Sequence, residues 1–157
     1  MTHQLAQLNV AKLAAPLDSP QLAGFVSALA GVNALADRSP GFVWRMIDEP
    51  GDARPAQLFG AEVIVNLSVW EDVASLQAFA YRSAHGDVLR QRRQWFVPMN
   101  EAYLALWWVP VGHRPSLEEA AERLALLRRL GPTEQVFSIA DDYAKTRPAS
   151  ASPGGHG

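Results

Sequence analysis

Four residue types in the middle of this 157-residue chain could do chemistry together: asparagine, tryptophan, histidine and arginine. Asn66 and Trp70 stand four residues apart in one apolar run, Glu62 to Trp70. His85 follows, with Arg90, Arg92 and Arg93 close behind it. Histidine titrates near neutrality, so His85 suits general-base work or ligation of an iron. A carboxamide in an apolar strand needs hydrogen-bond partners. Asn66 could donate its N–H to a substrate carbonyl or enolate; the plain alternative is a bond to backbone or to a partner chain. Trp70 could stack on a flat ligand, or simply fill a core. His85, Val88, Leu89, Arg92 and Phe96 share one helical face by their spacing. Arg92 is therefore the arginine placed to stand with His85, where a guanidinium would bind carboxylate or phenolate and keep the imidazole neutral. Arg93 is second choice, and Arg90 sits off that face. Such a run is otherwise a solvated surface.

Composition closes off other chemistries. There is no cysteine, so no disulfide, thiolate zinc site, iron–sulfur cluster or cysteine nucleophile. The 14 Lys+Arg against 16 Asp+Glu leave a net charge of −2, which offers no basic footprint for nucleic acid. No apolar run approaches the ~20 residues that span a bilayer, and Met-Thr-His-Gln-Leu does not read as a signal peptide. The expectation is a cytoplasmic protein without nucleic-acid or membrane partners. His3 and His113 lack ligand spacing, so no metal is expected. There is no glycine-rich phosphate loop and no Gly-x-Ser-x-Gly elbow. His113 reads as fixing a strand-to-helix turn.

The elements that must position these residues follow from periodicity. Gln4 to Lys12 alternate, with Leu5, Gln7 and Asn9 on one side, which predicts a strand. Leu22, Phe25, Val26, Leu29 and Val32 recur at three and four, predicting a helix to about Ala36. Phe42 to Asp48 is a second strand, and Glu49 to Gly60 reads as a loop. In the third strand, Glu62 to Trp70, one face is all apolar (Val63, Val65, Leu67, Val69) and the other mixed (Ile64, Asn66, Ser68, Trp70). Asp72 caps a helix to about Ala80, and a second helical segment runs from residue 83 or 84 to Trp95. Ala102 to Val109 is a fourth strand. Ser116-Leu117-Glu118-Glu119 is a capping box opening a helix that stops at Gly131-Pro132. Residues 1–140 thus form one domain with a C-terminal helical extension, and residues 146–157, rich in Pro, Ser and Gly, a disordered tail.

The order β-α-β-β-α-β plus a helix is the split βαβ, ferredoxin-like α+β order. Two helices on one face leave the other bare, carrying Trp44, Met46, Asn66, Trp70, Leu106 and Trp108. A face that aromatic calls for a cover. Pairing two sheets across a two-fold axis supplies one, so a homodimer is expected.

The stretch Val65 to Phe79, followed by Ser83-Ala84-His85, resembles the dimeric α+β barrel superfamily. To about Ile139 the chain is similar to the bacterial family called domain of unknown function 3291. That likeness is carried by Asn66 to Trp70, Arg92-Arg93, Trp95-Phe96, Leu106 to Pro110, Gly112 to Pro115 and Gly131-Pro132. Two branches of the superfamily suggest chemistry. In small cofactor-free monooxygenases of phenolic polyketides, an asparagine and a tryptophan on the third strand and a later arginine resemble Asn66, Trp70 and Arg90; their helical tyrosine is replaced here by about Leu76. In haem-degrading monooxygenases, an asparagine on the first strand, a tryptophan ending the third and a histidine ligand resemble Asn9, Trp70 and His85, with a longer gap before the histidine. The resemblance implies a small-molecule enzyme, monooxygenase-like and without external cofactor. His85, Asn66 and Arg92 are then catalytic, and Trp70, Trp44, Asn9 and Trp108 bind substrate in the barrel cavity. The alternatives are a haem protein with His85 as the iron ligand, and a non-catalytic ligand-binding or structural dimer.

Overall fold

The computed structural model describes residues 2–47, 51–83 and 92–148. The strands are β1 His3–Leu13, β2 Phe42–Arg45, β3 Val63–Trp70, β4 Phe96–Val97 and β5 Leu104–Pro110. The helices are α1 Ala23–Arg38, α2 Arg54–Phe59, α3 Val73–Ser83, α4 Leu117–Leu130 and α5 Asp142–Lys145. β1 is the centre of an antiparallel sheet. It pairs with β3 on one edge, Leu5 opposite Trp70 through Lys12 opposite Val63. Its other edge pairs with β5 over His3–Asn9 and with β4 at Lys12 and Leu13. β2 flanks β3. This is the ferredoxin-like arrangement with an added C-terminal helix, as the element order predicts.

Directly opposed residues of antiparallel strands share a face. One face therefore carries Ala6, Leu8, Val10, Val65, Leu67, Val69, Ala105 and Trp107; the other carries Leu5, Gln7, Asn9, Asn66, Ser68, Trp70, Leu104, Leu106 and Trp108. The apolar face packs on the stripe Leu117, Ala120, Leu124 and Leu127 of α4. That helix opens where expected: the Ser116 hydroxyl accepts from the Glu119 N–H at 3.0 Å. On the mixed face, Leu5, Trp70 and Leu106 pack with Ala36 of α1, Leu76 of α3, and Phe137 and Ala144 of the C-terminal segment.

The apolar face and the aromatic ends of the mixed face are thus covered by the chain itself, which corrects the expected bare aromatic face. The helix expected as a mere addition lies on the apolar side, and α1 and α3 lie on the mixed side. Burial of the aromatics needs no second copy, so that patterning argument for a homodimer falls away. Trp44 is also displaced from its expected face. The register shifts between Phe42, opposite Trp70, and Trp44, opposite Val69. One extra residue turns Trp44 to the apolar side, where it packs with the α4 cluster and lies 6.0 Å beneath the Arg114 guanidinium.

Other boundaries differ locally. The expected loop at 49–60 holds α2, with Pro55 in its first turn and the Arg54 N–H donating to Asp52 Oδ1 at 3.0 Å. α3 continues to Ser83. The segment read as a tail from Thr146 is anchored at Arg147, which donates to the Glu71 carbonyl at 2.7 Å and lies 5.4 Å from the Trp108 ring centre. Among the described residues, no helix is long and apolar enough to cross a membrane.

Gly41 closes the α1–β2 turn at φ 83°, and its carbonyl accepts from the Glu71 N–H at 2.8 Å. A Cβ there would collide with Oγ and Cβ of Ser75. Gly51 has φ 81° with nothing within 4 Å. Gly41→Ala should therefore cost about 3 kcal/mol or more, combining backbone strain with a clash, and Gly51→Ala only about 1 kcal/mol. Urea denaturation of both variants checks this; equal losses would show that the Ser75 contact does not matter.

Candidate functional site

Apolar residues close the mixed face at both ends. At one end Trp70 is 1% exposed, stacked on Phe79 at 5.1 Å and edge-on to Phe42 at 5.4 Å. At the other end Leu13, Leu22 and Trp95 are buried together, with Phe25, Ile64 and Phe96 against them. Phe25 near the start of α1 belongs to the second cluster and Ala36 near its end to the first. α1 therefore bridges the two, spanning about 16 Å between those residues. Under the bridge the strands present no large ring. Asn9 stands opposite Asn66 on one side and Leu104 on the other; Asn9 and Leu104 are half-buried and Asn66 is exposed. This gap among the described residues, floored by two carboxamides, is the candidate site.

One strand step, about 7 Å, towards Trp70, the polarity continues in buried form. Gln7 and Ser68 face each other across β1 and β3. The Trp70 indole N–H donates to Ser68 Oγ at 2.9 Å, and the Ser68 hydroxyl donates to Gln7 Oε1 at 2.7 Å. Sequence reasoning missed Gln7 and Ser68 as site residues. The signal was present, since both fall on the polar-bearing side of their strands.

The predicted residues therefore separate. Asn9 and Asn66 meet. Trp70 lies on the same face two strand steps away, about 14 Å, with its ring enclosed and its N–H committed, so it offers no open stacking surface. Trp108 is on that face too, its indole N–H donating to the Tyr143 carbonyl at 3.0 Å beside Phe137. Trp44 is on the opposite face. Arg92 is exposed, which corrects its expected inward position; the large ring of Trp95 takes the buried place in that stretch, 5.6 Å from Phe25. His85 and Arg90 lie outside the described residues. His113 fixes its turn as expected, its Nε2 lying 2.7 Å from Glu119, whose carboxylate also accepts from the Trp107 indole at 2.9 Å. No group of three or more metal-ligating side chains occurs among the described residues.

A cleft of about 380 Å³ opens elsewhere, on the apolar side, between Val10, Phe59, Val63 and Leu124. Its guanidinium, Arg128, is already tied to the Ala102 carbonyl and to Glu101. None of the candidate residues lines it.

With this geometry in view, comparison places the fold among known proteins. The model of the family Domain of unknown function (DUF3291) matches residues 4–152. The chain belongs to that family. No curated protein matches it in sequence. A solved structure, that of SnoaB, a cofactor-independent oxygenase from Streptomyces nogalater, is 18% identical with a TM-score of 0.39, over 74% of this chain and 98% of that one.

The helix that encloses Trp70 is held at its start by Asp72. Its Oδ1 accepts from the Ser75 N–H at 2.8 Å and the Ser75 hydroxyl at 2.7 Å. These bonds hold the Asp72 carboxyl below its ordinary value of 3.8. A lowered folded value means the unfolded chain binds the proton more tightly. The cap is fully effective above the ordinary value and is lost as pH falls through the lower folded one. Asp72→Ala should cost about 1 kcal/mol at neutral pH, and Asp72→Asn should keep most of the cap while flattening the acid slope. Urea midpoints from pH 7 down to the acid transition decide it; an unchanged slope in Asp72→Asn would refute the assignment.

Proposed function

We propose that the chain is a small-molecule enzyme with monooxygenase-like activity, acting between the sheet and α1 without an external cofactor. The carrying observation is the Asn9–Asn66 pair, two carboxamides side by side in the one stretch of this face that neither aromatic cluster fills. Polar groups left on a sheet face between apolar clusters suit a ligand that brings matching oxygens. A flat phenol or enol fits that description.

In this reading His85 takes a proton from a carbon activated by neighbouring rings, and Asn66 and Asn9 donate N–H groups to the oxyanion that results. The substrate anion is itself the reductant. It passes one electron to O2, the two radicals join as a peroxide, and loss of water leaves a carbonyl. A CH2 group and O2 thus become C=O and H2O, with every electron supplied by the substrate. The enclosed Trp70, two strand steps from Asn66, closes that end of the face and does not stack on the substrate. The Arg92 role passes to the asparagines.

Oxygen uptake with 1,8-dihydroxyanthrone, corrected for its spontaneous oxidation, tests the reading. Wild-type protein should accelerate uptake, and Asn66→Ala should lower kcat/KM about 100-fold or more, the usual cost of one oxyanion donor. No acceleration by folded wild-type protein with this or related phenols would overturn it. Coverage of both the Trp70 and Trp108 rings by the chain itself favours a second reading, ligand binding without catalysis; binding of the anthraquinone product without oxygen uptake would establish that instead. The haem alternative requires a Soret band on titration with haemin, abolished in His85→Ala.

A further inference from the structure

We propose that Gln7 is a ligand-binding residue of this gap, presenting its side-chain NH2 to an acceptor oxygen of the ligand, and that Trp70 and Ser68 are positioning residues that lock its orientation. The inference deepens the reading above and rests on the gap being a ligand site.

The direction of the hydrogen-bond chain settles the orientation. An indole nitrogen only donates. Trp70 Nε1–H therefore spends its proton on Ser68 Oγ, 2.9 Å away. Ser68 is 4% exposed, so its own hydroxyl proton must find an acceptor inside the protein, and Gln7 Oε1 lies 2.7 Å away. Were the Gln7 amide flipped, Ser68 would face two donors and its proton would have no acceptor. The carbonyl of Gln7 is thus consumed, and the two protons on Nε2 are what it has to offer.

Those protons have no partner among the described residues, although Gln7 is only 6% exposed. Gln7 Nε2 is not sealed off, since among the described residues the fully buried side-chain polar atom without a partner is Arg147 Nε; an incoming acceptor can therefore reach the unpaired protons. Gln7 is next but one to Asn9 on β1, and Ser68 next but one to Asn66 on β3, all on one face. Three carboxamides therefore line one strip. The orientation of one is fixed as a donor, by a chain that begins at an enclosed tryptophan. The matching ligand carries an acceptor, a carbonyl, enolate or phenolate oxygen, directed at that strip. A ligand presenting only donors there would meet an amide unable to turn without stranding the Ser68 proton.

The test measures binding of 1,8-dihydroxyanthraquinone, a non-reactive flat ligand with acceptor oxygens, by calorimetry and by nitrogen–proton NMR. Gln7→Met removes the donor at similar length and should weaken binding about 10-fold or more. The side-chain NH2 signals identified by their loss in Gln7→Met should shift when the quinone is added to wild-type protein. Ser68→Ala, which frees the amide to turn, should weaken binding several-fold alone and have no further effect in the Gln7→Met background, as coupled residues do. Thermal melts of each variant separate these effects from unfolding. Equal binding by folded wild-type and Gln7→Met overturns the inference and leaves the enzyme reading standing. An additive Ser68→Ala effect overturns the positioning role. Quinone binding that depends on Gln7, without oxygen uptake on the anthrone, upholds the inference and overturns the enzyme reading. Failure of wild-type protein to bind the quinone overturns both.

Discussion

The whole structure is organised by one constraint: β1 is paired along both edges and carries apolar residues on both faces, so both call for cover. Its neighbours β3 and β5 inherit the same demand. The apolar face is all aliphatic along β3 and takes the stripe of α4, whose leucines and alanines repeat closely enough to seal it. Ala6, Leu8, Val10, Leu67, Val69 and Trp107 are buried there, and their removal from water stabilises the fold. With that side sealed, the crossover helices α1 and α3 must serve the mixed side. There they meet polar residues as well as rings, and they seal the ends of the face without sealing its middle.

The fold was largely legible because it rests on alternation and on breakers. Period two marked β1 and β3, the run from Phe25 to Val32 marked α1, and Ser116 with Gly131 bounded α4. Which face would be bare was not legible, since that depends on where α4 returns, a tertiary fact with no local signal. The direction of Trp44 was hidden by a single bulge, because one inserted residue inverts every side chain beyond it. α2 was concealed by Pro55 and its charged neighbours, which read as a loop although proline is well suited to a first turn. The anchoring of Arg147 was concealed by composition: Pro, Ser and Gly around it say nothing about an arginine that finds Glu71 and Trp108.

The site divides in the same way. Asn9 and Asn66 were recognisable from spacing and face, and the antiparallel register sets them opposite each other. Trp70 was recognisable as a residue but not in its role, because spacing reports the side a ring takes and not whether Phe42 and Phe79 enclose it. Arg92 illustrates the limit of helical-face arguments. Its face was inferred from company with His85 and Phe96, whereas the gain from burying an indole decides which residue of a short stretch goes inside.

Packing alone gives no reason for the polar strip. Gln7, Asn9, Asn66 and Ser68 occupy two successive rows of a face that along β3 and β5 is otherwise mostly Leu, Ile and Trp, with Arg45 of β2 opposite Ser68, and aliphatic residues on β1 and β3 at those rows would continue both clusters into one. Ser68 has a structural task, since its Oγ receives the enclosed Trp70 indole N–H, but that task needs no glutamine opposite it, so the fold does not need the Ser68–Gln7 bond in order to stand. What the bond does is orient an amide, and orientation matters only to something that comes to meet it. A local choice that departs from the pattern of its surroundings beyond what packing asks is what the proposed ligand site would account for.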